Sequence, residues 1–210
     1  MKAQTDLAVH GLVHDLNNVF ATILDAADVL ETDPRWASLA GVVQRNALLG
    51  QRILGGFAGS CGAPVGVDAL LESAGAVAAD SLHAQGCAVE FRCECEPGLE
   101  IRGSSIAWER AIVNLLINAG QAMGCAGGVV TIRARRADSG VEITITDCGP
   151  GIPCGDLARI FEPGFSTKPS RSGLGLHIAA SIVEQNGGSI SAANRADGNG
   201  AVFRIVAPGS

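Results

Sequence analysis

Three stretches of this chain carry side chains whose types and spacing suit chemistry. The first is His14-Asp15-Leu16-Asn17-Asn18, an imidazole with a carboxylate beside it and an amide one helical turn on. A lone helical histidine is usually a plain surface residue, although it titrates close to neutral pH. The second is Asn114-Leu-Leu-Ile-Asn118-Ala119, where two asparagines four residues apart share a helix face. Asparagine is a poor helix former, so two on one face ask for a reason. The amide oxygen of Asn118 suits Mg²⁺, a hard cation that prefers oxygen ligands and keeps several waters. The third stretch runs from Asp147 to Leu176 and holds DCGPG (147–151), IFEPGFSTK (160–168) and SGLGL (172–176). An acidic residue between glycine-bearing turns, a mobile-looking segment and a helix start together suggest a nucleotide pocket. The Asp147 carboxylate, at the end of the strand VEITITD, is placed to accept a hydrogen bond from an adenine amino group, which selects adenine over guanine. Gly149 and Gly151 let the backbone approach the purine. Lys168 supplies a positive point charge. Gly173 and Gly175 precede a helix whose N-terminal amides would face phosphates, with Leu174 and Leu176 between and after them.

The elements that must position these groups are legible in the hydrophobic periodicity. Residues 7–31 read as a helix, with Leu12, Leu16, Val19, Ile23 and Leu30 on one side, widened by Val9, Val13, Phe20 and Leu24. His14 falls on a polar or small stripe with His10, Gly11, Asn17, Asn18, Ala21, Asp25 and Asp28, where solvent reaches the imidazole. Thr32-Asp33-Pro34 ends this helix and starts another, whose apolar face is Trp36, Leu39, Val43, Leu49, Ile53, Leu54 and Phe57. One helical hairpin has too little core to stand alone, so a homodimeric four-helix bundle is the natural solution. Gly, Ser, Cys and Pro between Gly55 and Gly66 read as a linker and hinge. The expected organisation is therefore a hairpin over 1–60, a linker over 61–66 and a second domain over 67–210.

In that second domain, helices are expected over 68–85, from a cap at Ser104 or Ser105 to Met123, and over 174–185. Strands are expected over 88–95, 100–102, 129–135, 141–147, 189–194 and 201–206. Hairpins among alternating strands and helices imply a mixed sheet, hence a two-layer α/β sandwich with helices on one face.

Bulk properties exclude several classes. The formal charge of −6 argues against a nucleic-acid binder, which needs a basic face. No apolar run reaches about 18 residues, so no spanning helix is read, nor does the start show a basic, apolar and small-residue leader. The seven cysteines form no CxxC pair and show no metal spacing with histidine. They read as small apolar residues in a reducing cytoplasm, the alternative being a redox role for Cys148 and Cys154 beside the pocket.

Taken together and in order, HDLNN, NLLINA, DCGPG, IFEPGFSTK and GLGL resemble the catalytic core of bacterial two-component sensor histidine kinases, from about Leu7 onward. The resemblance implies that His14 accepts a phosphoryl group, with Asp15 orienting the ring and Asn18 holding a water for the reverse, phosphatase reaction. It implies ATP and Mg²⁺ as cofactors in a GHKL-type ATP-binding domain. Asn118 would ligate Mg²⁺, with a phosphate or metal contact at Asn114. Asp147, Gly149 and Gly151 would hold the purine. Phe161, Thr167 and Lys168 would form a lid, and Gly173 to Leu176 would face the phosphates. The implied partners are a second copy of the chain and the receiver domain of a response regulator. HDLNN lies close to the first residue, so the stimulus is expected to arrive through a separate sensor protein or a longer chain of which this is a part. Two residues depart from the family pattern: Arg171 replaces a common glycine, and Gly164 replaces a common aromatic residue. A histidine phosphotransferase of the same layout, relaying phosphoryl groups without ATP, is the competing expectation, although such a relay has no need of Asn118, Asp147 and GLGL together.

Overall fold

The computed structural model describes residues 2–31, 33, 35–36, 39–44, 46–47, 50, 64–166, 173–196 and 198–210, with side chains before Leu16, and those of Asn17 and Cys125, left aside. It divides into a smaller N-terminal unit and a larger unit built from Gly62–Phe165 and Gly173–Ser210.

The N-terminal unit contains helix α1 (Lys2–Glu31) and a return segment that is helical over 39–44. Leu24 and Ala27 of α1 are buried, as are Ala40 and Ala47 of the return segment. The periodicity marked a broad apolar face, and the hairpin buries only the Leu24–Ala27 side of it. Val19 (53 % exposed), Ile23 and Leu30 stay open. The stripe expected to be polar is not all free. Gln44, almost fully buried, donates from Nε2 to Asp28 (2.6 Å) and Glu31 (3.2 Å), so Asp28 faces the return segment. Asp33 accepts from the Arg35 backbone N–H at 3.0 Å within the connecting turn. Thr32, Pro34, Leu49, Ile53, Leu54 and Phe57, read above as turn and core residues, lie outside the described residues.

The larger unit is a two-layer sandwich. Helices α2 (Val67–Ala84), α3 (Ser105–Met123) and α4 (Gly175–Gln185) cover one face of a five-stranded sheet. Its strands are β2 (Val89–Cys95), β4 (Gly128–Ala137), β5 (Gly140–Thr146), β7 (Ala201–Ala207) and β6 (Ser189–Asn194), in that spatial order. β2 runs parallel to β4 and the other pairs are antiparallel. Period-two alternation sends Val130, Ile132, Ile143, Ile145, Phe203 and Ile205 into the core against Trp108, Ile112, Leu115 and Leu116 of α3. The registers Ile132↔Ile145 and Ile145↔Phe203 stack these side chains across three strands. Ser104 caps α3, its hydroxyl accepting from the Ala107 N–H at 3.4 Å. The short strand β3 (Glu100–Ile101) pairs with β1 (Val65–Gly66) outside the main sheet.

The helix-free face carries charge instead of a second layer. Arg133 pairs with Glu94 (2.7 Å), and Glu142 sits between Arg135 (2.6 Å) and Arg204. Burial alone would raise the Glu142 carboxyl, but the two guanidiniums outweigh it and hold its pKa below the usual value.

Candidate functional site

Asp147 follows β5 immediately and is 2 % exposed. It continues the inward alternation of Ile143 and Ile145, so its carboxylate turns to the helix side of the sheet. Two backbone groups hold one of its oxygens: Gly149 N–H at 2.8 Å and Ala201 N–H at 3.2 Å. Burial pushes its pKa up, and those two hydrogen bonds and the charge of Arg195 only partly oppose this. Gly149 is wedged between that carboxylate and Ala122 of α3, since a Cβ placed there would lie 3.1 Å from both. Gly151 adopts φ +83°, which a residue with a side chain rarely takes. The loop 147–152 is thus folded tightly against the end of α3.

Asn114 and Asn118 lie on α3, both half-buried. The Asn114 amide nitrogen is buried with no hydrogen-bond partner, a donor that costs stability until something accepts from it. Gly175, the first residue of α4, abuts this side chain: a Cβ on it would sit 3.6 Å from the Asn114 Oδ1. Among the described residues no side chain caps the start of α4, where Leu174 is buried as an anchor and Leu176 is half-buried. Uncapped helix amides beside an orphaned amide donor form an anion-binding arrangement.

Between these parts lies the turn segment carrying Phe161. Its ring meets Phe203 edge-on at 6.5 Å, and its carbonyl is 3.0 Å from the His177 Nδ1 in the first turn of α4. Arg159 stacks over Phe165 at 4.9 Å. Gly173, at φ +65°, approaches the Phe165 carbonyl so closely that a Cβ would fall 2.3 Å from its oxygen. Phe165 and Gly173 therefore lie against each other. Thr167 and Lys168, and with them Arg171, lie outside the described residues.

His14, Asp15 and Asn18 belong to α1. Asn18 is half-buried, and the side chains of His14 and Asp15 lie outside the described residues. The larger unit thus sets Asn114 beside Gly175, with Phe161 near the first turn of α4, and sets Asp147, Gly149 and Gly151 near Ala122 toward the C-terminal end of α3, with Asn118 between on that helix. Sequence reasoning missed His177, Asn194, Arg195 and Ala201, which support these residues from the following helix and strands. A histidine next to GLGL was a readable signal; an asparagine at a strand end resembles any turn former. Cys148 is exposed and accepts a hydrogen bond from Arg195 at 3.3 Å. Burial pushes the Cys93 and Cys95 thiols up, which makes them less reactive.

Among the described residues no group of three or more His, Cys, Asp or Glu side chains could hold a metal ion unaided. An asparagine-based site fits Mg²⁺ arriving with phosphate oxygens, because that ion demands few protein ligands. A depression of about 450 Å³ is lined by Thr131, Arg133, Thr146, Asn194, Arg195, Ala196 and Val202, and so adjoins the 147–152 loop through Asn194 and Arg195.

Comparison with known proteins agrees with this geometry. The sequence pattern of the histidine kinase-, DNA gyrase B- and HSP90-like ATPases matches residues 103–210, and the chain belongs to that family. Within it, the likeness is to the ATP-binding catalytic domain of two-component sensor histidine kinases. The sensor histidine kinase ZraS of Escherichia coli K12 is 39 % identical over 109 residues, 52 % of this chain and 23 % of that protein. This chain therefore spans about a quarter of that relative's length. Among solved structures, a mycobacterial sensor histidine kinase, MprB, superposes with a TM-score of 0.61 at 30 % identity, over 71 % of this chain and 98 % of the other. Full-length ShkA in complex with AMPPNP gives a TM-score of 0.61 at 25 % identity, over 97 % of this chain and 46 % of the other.

Proposed function

We propose that this chain is a histidine kinase core that binds ATP, phosphorylates His14 and passes the phosphoryl group to an aspartate of a response regulator. The orphaned Asn114 amide beside the uncapped start of α4 is the observation that carries this reading. It is an unmet demand for a hydrogen-bond acceptor, which a phosphate oxygen would meet, set in the same unit as a buried carboxylate suited to a purine amino group. The alternative, a phosphate relay without ATP, has no use for that pairing.

In this reading Asp147 accepts from the adenine amino group, and Gly149 leaves room for the ring. Asn114 and the first amides of α4 hold phosphate oxygens, joined by Thr167 and Lys168 from the lid. Asn118 would ligate Mg²⁺, which when bound neutralises phosphate charge. The His14 Nε2 attacks the γ-phosphorus in line. A nitrogen–phosphorus bond forms, the bond to the bridging oxygen breaks, and ADP leaves with that electron pair. Asp15 holds the other ring nitrogen and eases loss of its proton. The transition state is loose, so positioning and charge neutralisation contribute most. The phosphoryl group then moves from His14 to the regulator's carboxylate, and Asn18 holds the water for the reverse, dephosphorylating reaction.

The open residues Val19, Ile23 and Leu30, with Trp36, Leu39 and Val42 of the return segment, support closure of a four-helix bundle by a second copy. The boundaries 1–60, 61–66 and 67–210 belong to the same proposal, as do a cytoplasmic setting and input from a separate sensor or a longer chain. No described helix is long and apolar enough to cross a membrane.

Thermal unfolding with a non-hydrolysable ATP analogue and Mg²⁺ tests the nucleotide site. A ligand at one hundred times its dissociation constant adds about 2.7 kcal/mol to the folded state, a rise of several degrees for a domain this size. GTP at the same concentration should give a much smaller rise. A melting point unmoved by the ATP analogue contradicts the proposal and leaves the relay.

A further inference from the structure

The geometry points to Asn194 as a positioning residue for the purine-side loop, and through it as a determinant of adenine-nucleotide affinity and selectivity. This inference rests on the nucleotide reading of the site above.

Asn194 is the last residue of β6 and lies 42 positions beyond the residue it grips. Its carboxamide makes two hydrogen bonds to the backbone of one residue. The Oδ1 accepts from the Ile152 N–H at 2.7 Å, and the Nδ2 donates to the Ile152 carbonyl at 2.7 Å. Among short side chains only a carboxamide sets one acceptor and one donor side by side, matching a backbone edge as a neighbouring strand would. The grip also needs Gly151 beside it: a Cβ there would fall 2.9 Å from the Asn194 oxygen.

The other end of the same loop is held from the same place. Asn194 pairs across the sheet with Ala201, whose N–H reaches the Asp147 carboxylate at 3.2 Å. The Ala201 carbonyl accepts from the Asp147 N–H at 3.0 Å. One cross-strand pair thus clips both ends of loop 147–152, Asp147 by the backbone of Ala201 and Ile152 by the side chain of Asn194. The hydrogen bond from Arg195 N–H to the Gly200 carbonyl, at 3.0 Å, fixes the turn-side end of this pair. The purine contact depends on where Gly149 and Gly151 stand relative to Asp147. A carboxylate that must meet one amino group on one base gains selectivity only if that spacing is fixed. Releasing the Ile152 end frees the loop without touching the Asp147 carboxylate.

The test uses the whole chain with Asn194→Ala and Asn194→Asp, read by amide hydrogen exchange at Ile152 and by binding of non-hydrolysable ATP and GTP analogues. In Asn194→Ala, the Ile152 amide should lose protection while the core strands β5 and β7 keep theirs. ATP-analogue affinity should fall about tenfold, the effect of losing roughly 1.4 kcal/mol, and the ATP-to-GTP preference should narrow. In Asn194→Asp, the remaining acceptor should keep the Ile152 amide protected. Ile152 exchange unchanged by Asn194→Ala, or lost protection with affinity and preference both unchanged, overturns the role of Asn194. A wild-type chain that binds neither analogue overturns the nucleotide reading on which it stands.

Discussion

Asp147 concentrates the tension between stability and use at the level of one residue. A carboxylate that is almost wholly buried is costly to ionise, and its pKa is raised by burial against two backbone hydrogen bonds. The native state therefore holds that proton more tightly than the unfolded chain does. Stability falls as pH climbs from the ordinary carboxylate range, near 3.9, through the raised native value, and the full penalty is present above it. Asp147→Asn removes the charge and keeps an oxygen for the Gly149 and Ala201 N–H groups. The variant should melt higher than wild type at pH 7 to 8, with the gain disappearing below about pH 4, while its ATP-analogue affinity falls about tenfold or more. Melting curves against pH check the first part and titration the second. A variant less stable than wild type at neutral pH would show that the charge serves the fold.

Elements set the frame within which such residues act. The sheet has helices on one face only, and the ladder of Arg133–Glu94 and Arg135–Glu142–Arg204 takes the place of a second layer. Glu142 is 4 % exposed at its side chain while its arginine partners are more than half exposed, which screens the pairing. Its depressed pKa contributes stability that is present above the unfolded glutamate value, near 4.3, and is lost as pH falls through the native value. Glu142→Gln should therefore cost about 1 to 2 kcal/mol at pH 7, shrinking toward zero near pH 3, as read by denaturant unfolding at the two pH values. An equal loss at both would assign the effect to packing.

At this scale the sequence was most legible. The helix ending at Met123, a cap at Ser104 or Ser105 and the strand pair 189–194 and 201–206 follow from periodicity and turn residues, because these are local signals; the cap falls on Ser104 and the last strand runs one residue further, to Ala207. The pairing of Glu100–Ile101 with Val65–Gly66 was not legible, since two-residue strands carry no period. Nor was the grip of Asn194 on Ile152, which no local rule links to Gly151. In the hairpin, periodicity marked a face and could not say that Leu24 and Ala27 would meet the return segment while Val19 and Ile23 stay open. The Asp28–Gln44 contact escaped for the same reason: a charge on a helix reads as solvated until its neighbour is known.

For the whole molecule, the proposed function links a unit that would hold a purine triphosphate to the helix whose sequence carries His14. Each is intelligible by itself: the nucleotide unit from its orphaned donor, its uncapped helix and its buried carboxylate, the helix from HDLNN. Under the proposed function the two act together as a kinase, and that is tested by following the phosphoryl group. Wild type and His14→Gln are incubated with γ-labelled ATP and Mg²⁺, and protein-bound label is measured before and after acid treatment. Acid-labile label on wild type, absent from His14→Gln although that variant still binds the ATP analogue, is the predicted result. Label that persists on His14→Gln, or none on a wild-type chain that binds ATP, would contradict the assignment of His14 as acceptor.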